Sequence, residues 1–236
     1  MGSSFGRLFI AAALMMLLSP AALAQLTIPL DSSFDVADGS MSLGCTPLNV
    51  DGTLNVDSGQ ISDISEVNIG TTGTINGGQG TLNVSGDWNN LGTFIPGTGT
   101  VNFTDGCAGG PVQITGTTVF NNLTLTSTVG RTFIIPAGEN ITVNGILTLQ
   151  GTEDQPIQLV SSSGETAVIG LGPSAQVIRN FAIVSANVQI GELQIDAAPR
   201  AIPTMSDYGL IILLLLIAGT ALWGGRIGAF SAIRKN

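Results

Sequence analysis

The chain has 236 residues, no histidine, a single lysine (Lys235) and a formal net charge of −9. Between Gln25 and Ala201 only Arg131, Arg179 and Arg200 stand against fifteen Asp and Glu, a net charge of −12. Such a surface repels nucleic-acid phosphates and anionic lipid, both of which are held by Lys and Arg. The missing histidine excludes Ser-His-Asp and Cys-His catalysis and removes the commonest metal ligand.

At the amino end Arg7 precedes an apolar run from Leu8 to Leu18, Ser19-Pro20 breaks it, and Ala22-Leu23-Ala24 fits the A-x-A pattern of signal peptidase. A hydrocarbon layer of about 30 Å takes roughly 20 helical residues, so this run is too short for a membrane anchor. Residues 1–24 are therefore expected to be a signal helix, cut between Ala24 and Gln25. Signal peptidase and the secretion machinery are the partners this implies. No cysteine stands at the cut, which argues against a lipoprotein.

The two cysteines, Cys45 and Cys107, both fall in the exported part. An even pair in an oxidising compartment points to a disulfide, the alternative being two separately buried thiols. Before Cys45 the chain lacks the patterning that follows it, so residues 25–47 are expected to be a cap over an open end.

From Leu48 onward the chain alternates apolar residues with Asn or Thr, as in Leu54-Asn55-Val56, Leu82-Asn83-Val84, Val101-Asn102-Phe103 and Leu123-Thr124-Leu125. Period two means strands with one buried face. Gly77-Gly78-Gln79-Gly80 and Pro96-Gly97-Thr98-Gly99 punctuate them as turns. Short strands, 32 glycines and few aromatics suit a solenoid better than a sandwich, whose hairpins need turns such as the lone Asn144-Gly145. The expected fold class is all-β, a single parallel β-helix (β-solenoid) over 48–195. It is flanked by the signal helix and a C-terminal transmembrane helix, with a linker at 196–201. Stacked Asn and Thr would form hydrogen-bonded ladders. The Asn-x-Ser/Thr tripeptides at Asn83, Asn102, Asn122 and Asn140 are read as ladder residues rather than glycosylation acceptors.

The phrase Gly151-Thr152-Glu153-Asp154-Gln155-Pro156-Ile157 resembles the coil-opening phrase of right-handed β-helix proteins of bacterial surfaces. A second resemblance lies at the carboxyl end. Ile202-Pro203-Thr204-Met205-Ser206-Asp207-Tyr208-Gly209 precedes an apolar stretch, and Arg226, Arg234 and Lys235 follow it. Residues 209–225 reach the lower limit of a membrane span, with Tyr208 and Trp223 placed as interfacial aromatics and the basic tail predicted to be cytoplasmic. Residues 202–236 thus resemble the IPTL-CTERM sorting signal, from whose usual octet they depart at Met205, Asp207 and Tyr208. The resemblance implies recognition by an exosortase-type membrane enzyme in a Gram-negative envelope. The precursor would sit in the inner membrane, and the mature protein at the cell surface or outside the cell.

No residues in the middle assemble into a recognisable catalytic motif, and no cofactor is implied. A lyase needs a base, and Arg131 and Arg179 are the only candidates within the repeats. A glycosidase needs two carboxylates across a cleft, whereas Glu153 and Asp154 are adjacent in a turn-like segment. Asp51, Asp57, Asp63 and Glu66 are hard ligands of the kind calcium takes, but they form no calcium-loop motif. The expected function is a cell-surface structural or adhesion-type protein. The alternatives are a carbohydrate-active β-helix enzyme and a self-assembling surface subunit. Surface polysaccharide and further copies of the chain are the candidate partners beyond the export machinery.

Overall fold

Alternating side chains give each short strand an apolar face and a polar face, and glycine-rich corners turn the chain so that every apolar face points the same way, inward. The computed structural model describes residues 25–191 apart from Ala108, and no helix occurs among them. The signal helix expected over 1–24 and the sorting segment 202–236, with its span 209–225, lie outside the described residues.

The chain enters in β1 (Leu26–Ile28), crosses to β2 (Ser33–Asp35) and returns in the long β3 (Ser40–Val50). Then come β4 (Thr53–Asn55), the long β5 (Gln60–Ile69), β6 (Thr74–Asn76), β7 (Thr81–Val84), β8 (Trp88–Asn90), β9 (Thr93–Ile95) and β10 (Thr100–Phe103). After a loop at 104–111 the path resumes with β11 (Val112–Thr115), β12 (Thr118–Phe120), β13 (Asn122–Thr126), β14 (Thr132–Ile135), β15 (Ile141–Val143) and β16 (Ile146–Gln150). It continues through β17 (Ile157–Ser161), β18 (Ala167–Leu171), β19 (Gln176–Asn180), β20 (Ala182–Val184) and β21 (Val188–Ile190).

Every pairing is parallel, and the strands stack into a three-faced β-solenoid of about 8 turns. Face A holds the first halves of β3 and β5, then β7, β10, β13, β16 and β19. Face B holds β1, the second halves of β3 and β5, then β8, β11, β14, β17 and β20. Face C holds β2, β4, β6 and β9, then β12, β15, β18 and β21. The two long strands serve two faces because they bend. Gly44 and Cys45 have φ of 60° and 66°, Asp63 has 54°, and the register slips at both corners.

The solenoid starts one coil earlier than the sequence pattern indicates. Leu26 pairs with Leu48, Phe34 with Leu54 and Met41 with Ile61, so much of the segment expected as a cap is itself the first coil. Its phrases are short: Phe34 is the one inward residue of β2, and Pro29 ends Leu26-Thr27-Ile28 at once.

A continuous apolar core runs along the axis, with Leu54, Ile75, Leu82, Phe103, Leu125 and Leu149 fully buried. At the middle the cross-section changes. Face C is interrupted between β9 and β12, which do not pair. Trp88, Phe94 and Phe120 fill the gap with ring centroids 5.0–5.7 Å apart. Such mutually tilted packing is the favoured arrangement for aromatic quadrupoles. The polar cost of the break is met by side chains. Buried Asn90 donates through Nδ2 to the Thr117 carbonyl (2.9 Å) and to Thr118 Oγ1 (3.0 Å), and Trp88 Nε1 donates to Thr118 Oγ1 (3.2 Å).

Candidate functional site

The outward face is the first place where chemistry could reside, and in the earlier coils its Asn side chains are engaged with one another. On face B, Asn68 Nδ2 donates to Asn49 Oδ1 (3.0 Å), Asn89 Nδ2 to Asn68 Oδ1 (2.9 Å) and Thr115 Oγ1 to Asn89 Oδ1 (2.8 Å). On face C, Asn55 donates to Asp35, and Asn76 Nδ2 to Asn55 Oδ1 (2.6 Å). On face A, Asn102 Nδ2 donates to Asn83 Oδ1 (3.0 Å). Coils about 4.8 Å apart place equivalent amides at hydrogen-bonding reach. A groove of ≈ 400 Å³ runs beside the face B ladder between Thr27 and Leu91. Its central amide is spent, because Asn68 also donates to Glu66 Oε1 (2.9 Å).

Asn83 and Asn102 therefore stand in a ladder, as their tripeptides suggest. Asn122 also reaches along the stack, its Nδ2 donating to Thr100 Oγ1 of its register partner (3.4 Å) and lying near the Thr98 and Gly99 carbonyls (3.4 Å each), while its Oδ1 accepts from the Ile146 N–H (3.0 Å). Asn140 is no ladder residue. It lies in an exposed loop, where its backbone carbonyl accepts from the Thr118 N–H (2.9 Å).

The carboxylates considered for calcium sit at three different corners. Asp51 follows face B, Asp57 follows face C, and Asp63 with Glu66 bends β5 between faces A and B. Three corners of one cross-section do not converge on one ion. Glu153 and Asp154 are exposed in a turn closed by hydrogen bonds between the backbones of Thr152 and Gln155 (3.1 and 3.2 Å).

The corner between faces A and B is the most constructed part of the molecule. Cys45 and Cys107 are joined in a disulfide with Cα atoms 5.3 Å apart. The bond ties the 104–111 loop back across the corner at Asp63 and Ser85. Closing a loop of 62 residues stabilises by about 4 kcal/mol in the chain-entropy model.

Beneath the loop lies Arg131, with a fully buried side chain. Its Nε donates to the Gly110 carbonyl (2.8 Å), Nη1 to Thr104 O (2.8 Å) and Nη2 to Ser85 O (2.7 Å). Burial pushes its pKa below the ordinary arginine value, and the charges of Asp105 and Asp87 pull it back up. The Asp105 contact is long, 4.0 Å from Nε to Oδ1, and that buried oxygen has no hydrogen-bond partner. Asp105 Oδ2 instead accepts from the Thr128 N–H (2.7 Å). The carbonyl contacts, rather than the ion pair, therefore hold the guanidinium. They also occupy Arg131 as a loop clasp, so it is not placed to take a proton from a substrate.

Sequence reasoning weighed Arg131 only as a base. One signal of its role was present: it is the sole basic residue between positions 25 and 178. The other arginine in the repeats, Arg179, is exposed at the last coil and donates through Nε to the Ala182 carbonyl (2.9 Å).

Of the export residues, Ala22 and Ala24 lie outside the described residues, as does the octet from Ile202 to Gly209. Gln25 is the first described residue, and its Nε2 donates to Thr27 Oγ1 (3.0 Å) one step before the first coil. Compared with known proteins, the chain matches no family model, no curated protein and no solved structure.

Proposed function

We propose that this chain is an exported structural or adhesion-type protein of a bacterial surface, whose working part is the acidic β-solenoid. The observation that carries the reading is the way polar groups are used. Outward Asn side chains of the earlier coils bond to one another in ladders, and Arg131, the one buried base among the described residues, is spent on three carbonyls. An active site instead holds perturbed titratable groups facing a shared cleft. In this reading residues 1–24 direct export, and the IPTL-CTERM-like segment 202–236 directs sorting by an exosortase-type enzyme.

The competing reading is a carbohydrate-active solenoid. Protein recovered from the producing cells and incubated with a panel of neutral and acidic polysaccharides is expected to release no product. Reproducible product release, abolished by replacing one carboxylate of the solenoid, would overturn the structural reading in favour of an enzyme.

A further inference from the structure

The two ends of the described solenoid expose what its middle buries. Val177 stands at the same inward register position as Leu147, through the β16–β19 pairing, yet is 42% exposed against 0%. At the other end Phe34 matches Leu54 but is 37% exposed against 0%. Among the described residues no strand covers the outer side of β1, β2 or the first half of β3, nor that of β19, β20 or β21. Each end is therefore a three-sided rim of unpaired backbone, around an apolar centre at the first coil and around Val177, Ala182, Val184 and Val188 at the last, where Arg179 stands at the inward register of Leu149; such rims are where strand-to-strand association starts.

We infer that these rims are each other's partners, and that the exported protein stacks end to end with a second copy, first coil on last coil. Three observations favour that occupant. All strands are parallel and every coil advances the same way, so a second copy placed in line continues the ladders of faces B and C, β20 into β1 and β21 into β2, while face A lacks one strand between β19 and the first half of β3. The rims also differ in charge. The first coil exposes Asp31, Asp35 and Asp38 and contains no base, whereas Gln176–Ile190 contains Arg179 and no carboxylate. First-on-first contact would gather six carboxylates, while first-on-last contact joins opposite signs. Finally, Gln25 lies one residue before β1, so removal of residues 1–24 leaves the first rim unobstructed. On this last point the inference rests on the export reading. Contacts of this heterologous kind do not close, and they generate a filament.

Continuing face B from β20 into β1 of the next copy brings Ile183 beside Thr27, both on outward positions. Neighbouring strands lie about 4.8 Å apart, within disulfide range. Within one chain these residues are seven coils apart, about 34 Å at that spacing, so they cannot link internally. The test uses the full chain in the producing cells with Thr27→Cys, Ile183→Cys and the double variant, run on non-reducing gels after mild oxidation. The double variant should give a reducible ladder of multimers. The two single variants produced together should stop at dimers, and each alone, like the unsubstituted protein, should stay monomeric. A monomeric double variant overturns the stacking, including the case in which the chain's own residues after Gly191 cover the last coil. Dimers of one single variant alone overturn its first-on-last polarity. If the monomeric double variant is still recovered outside the cell without residues 1–24, stacking fails while the export reading stands.

Discussion

Four turns stack at the corner leading from face C into face A, and each holds one residue in the left-handed region. Ala37, Asp57, Gly78 and Gly97 have φ of 55°, 54°, 59° and 56°. The Ser58, Gln79 and Thr98 amides donate to the Ala37, Asp57 and Gly78 carbonyls one coil back, with N···O distances of 3.1, 2.5 and 2.7 Å. At Gly97 a Cβ would run into the Gly78 carbonyl oxygen, so both conformation and space require glycine. Gly97→Ala should lower stability by about 2 kcal/mol or more, read as a melting midpoint lowered by about 4–8 °C. Gly109, around which a Cβ meets nothing, is the control, and Gly109→Ala should stay within about 0.5 kcal/mol. Equal effects at the two positions would contradict the stacked-corner account. The turn phrases around Gly78 and Gly97 were legible as turns, since glycine clusters punctuate strands. Their stacking was not, because coil length varies and no fixed period marks equivalent positions. Paired residues lie 19 apart at Leu48 and Val67 but 25 apart at Leu159 and Val184.

At the scale of elements, the 104–111 loop is the largest departure from regular coils among the early turns, and two devices fix it. The disulfide was readable in the sequence from the even cysteine count together with the export expected of the chain. The Arg131 clasp was not, because its acceptors are backbone carbonyls of Ser85, Thr104 and Gly110, which carry no residue-type signature. Removing the guanidinium would strand three carbonyl acceptors and take away the cation nearest the already unpartnered Asp105 oxygen. Arg131→Met should therefore cost about 3–5 kcal/mol. Amide exchange should rise first in 104–111, the loop it holds. Arg131→Lys should recover little, since an ammonium cannot fork toward three separated carbonyls as a guanidinium does. Full stability of either variant would mean that the disulfide alone secures the loop. The first coil shows the opposite limit of legibility. Leu26-Thr27-Ile28 is a proper strand phrase, but Pro29 ends it at once, and only pairing with Leu48–Val50 reveals it.

For the whole molecule, the described solenoid supplies an acidic amide-lined surface and two rims that no described strand covers, and the sequence on either side supplies the reading of where it works. Period two, corner glycines and the Asn/Thr ladders made the fold class legible. The function rests on different evidence, since a solenoid serves structural and catalytic proteins alike. The central claim is that two processing signals bracket the working domain. The most direct measurement is the intact mass of the protein recovered from the cell surface or medium of the producing cells. The account predicts a species beginning at Gln25, carrying one intramolecular disulfide and ending near Ile202-Pro203-Thr204, before the apolar stretch. A full-length species beginning at Met1 and retained inside the cell would contradict it.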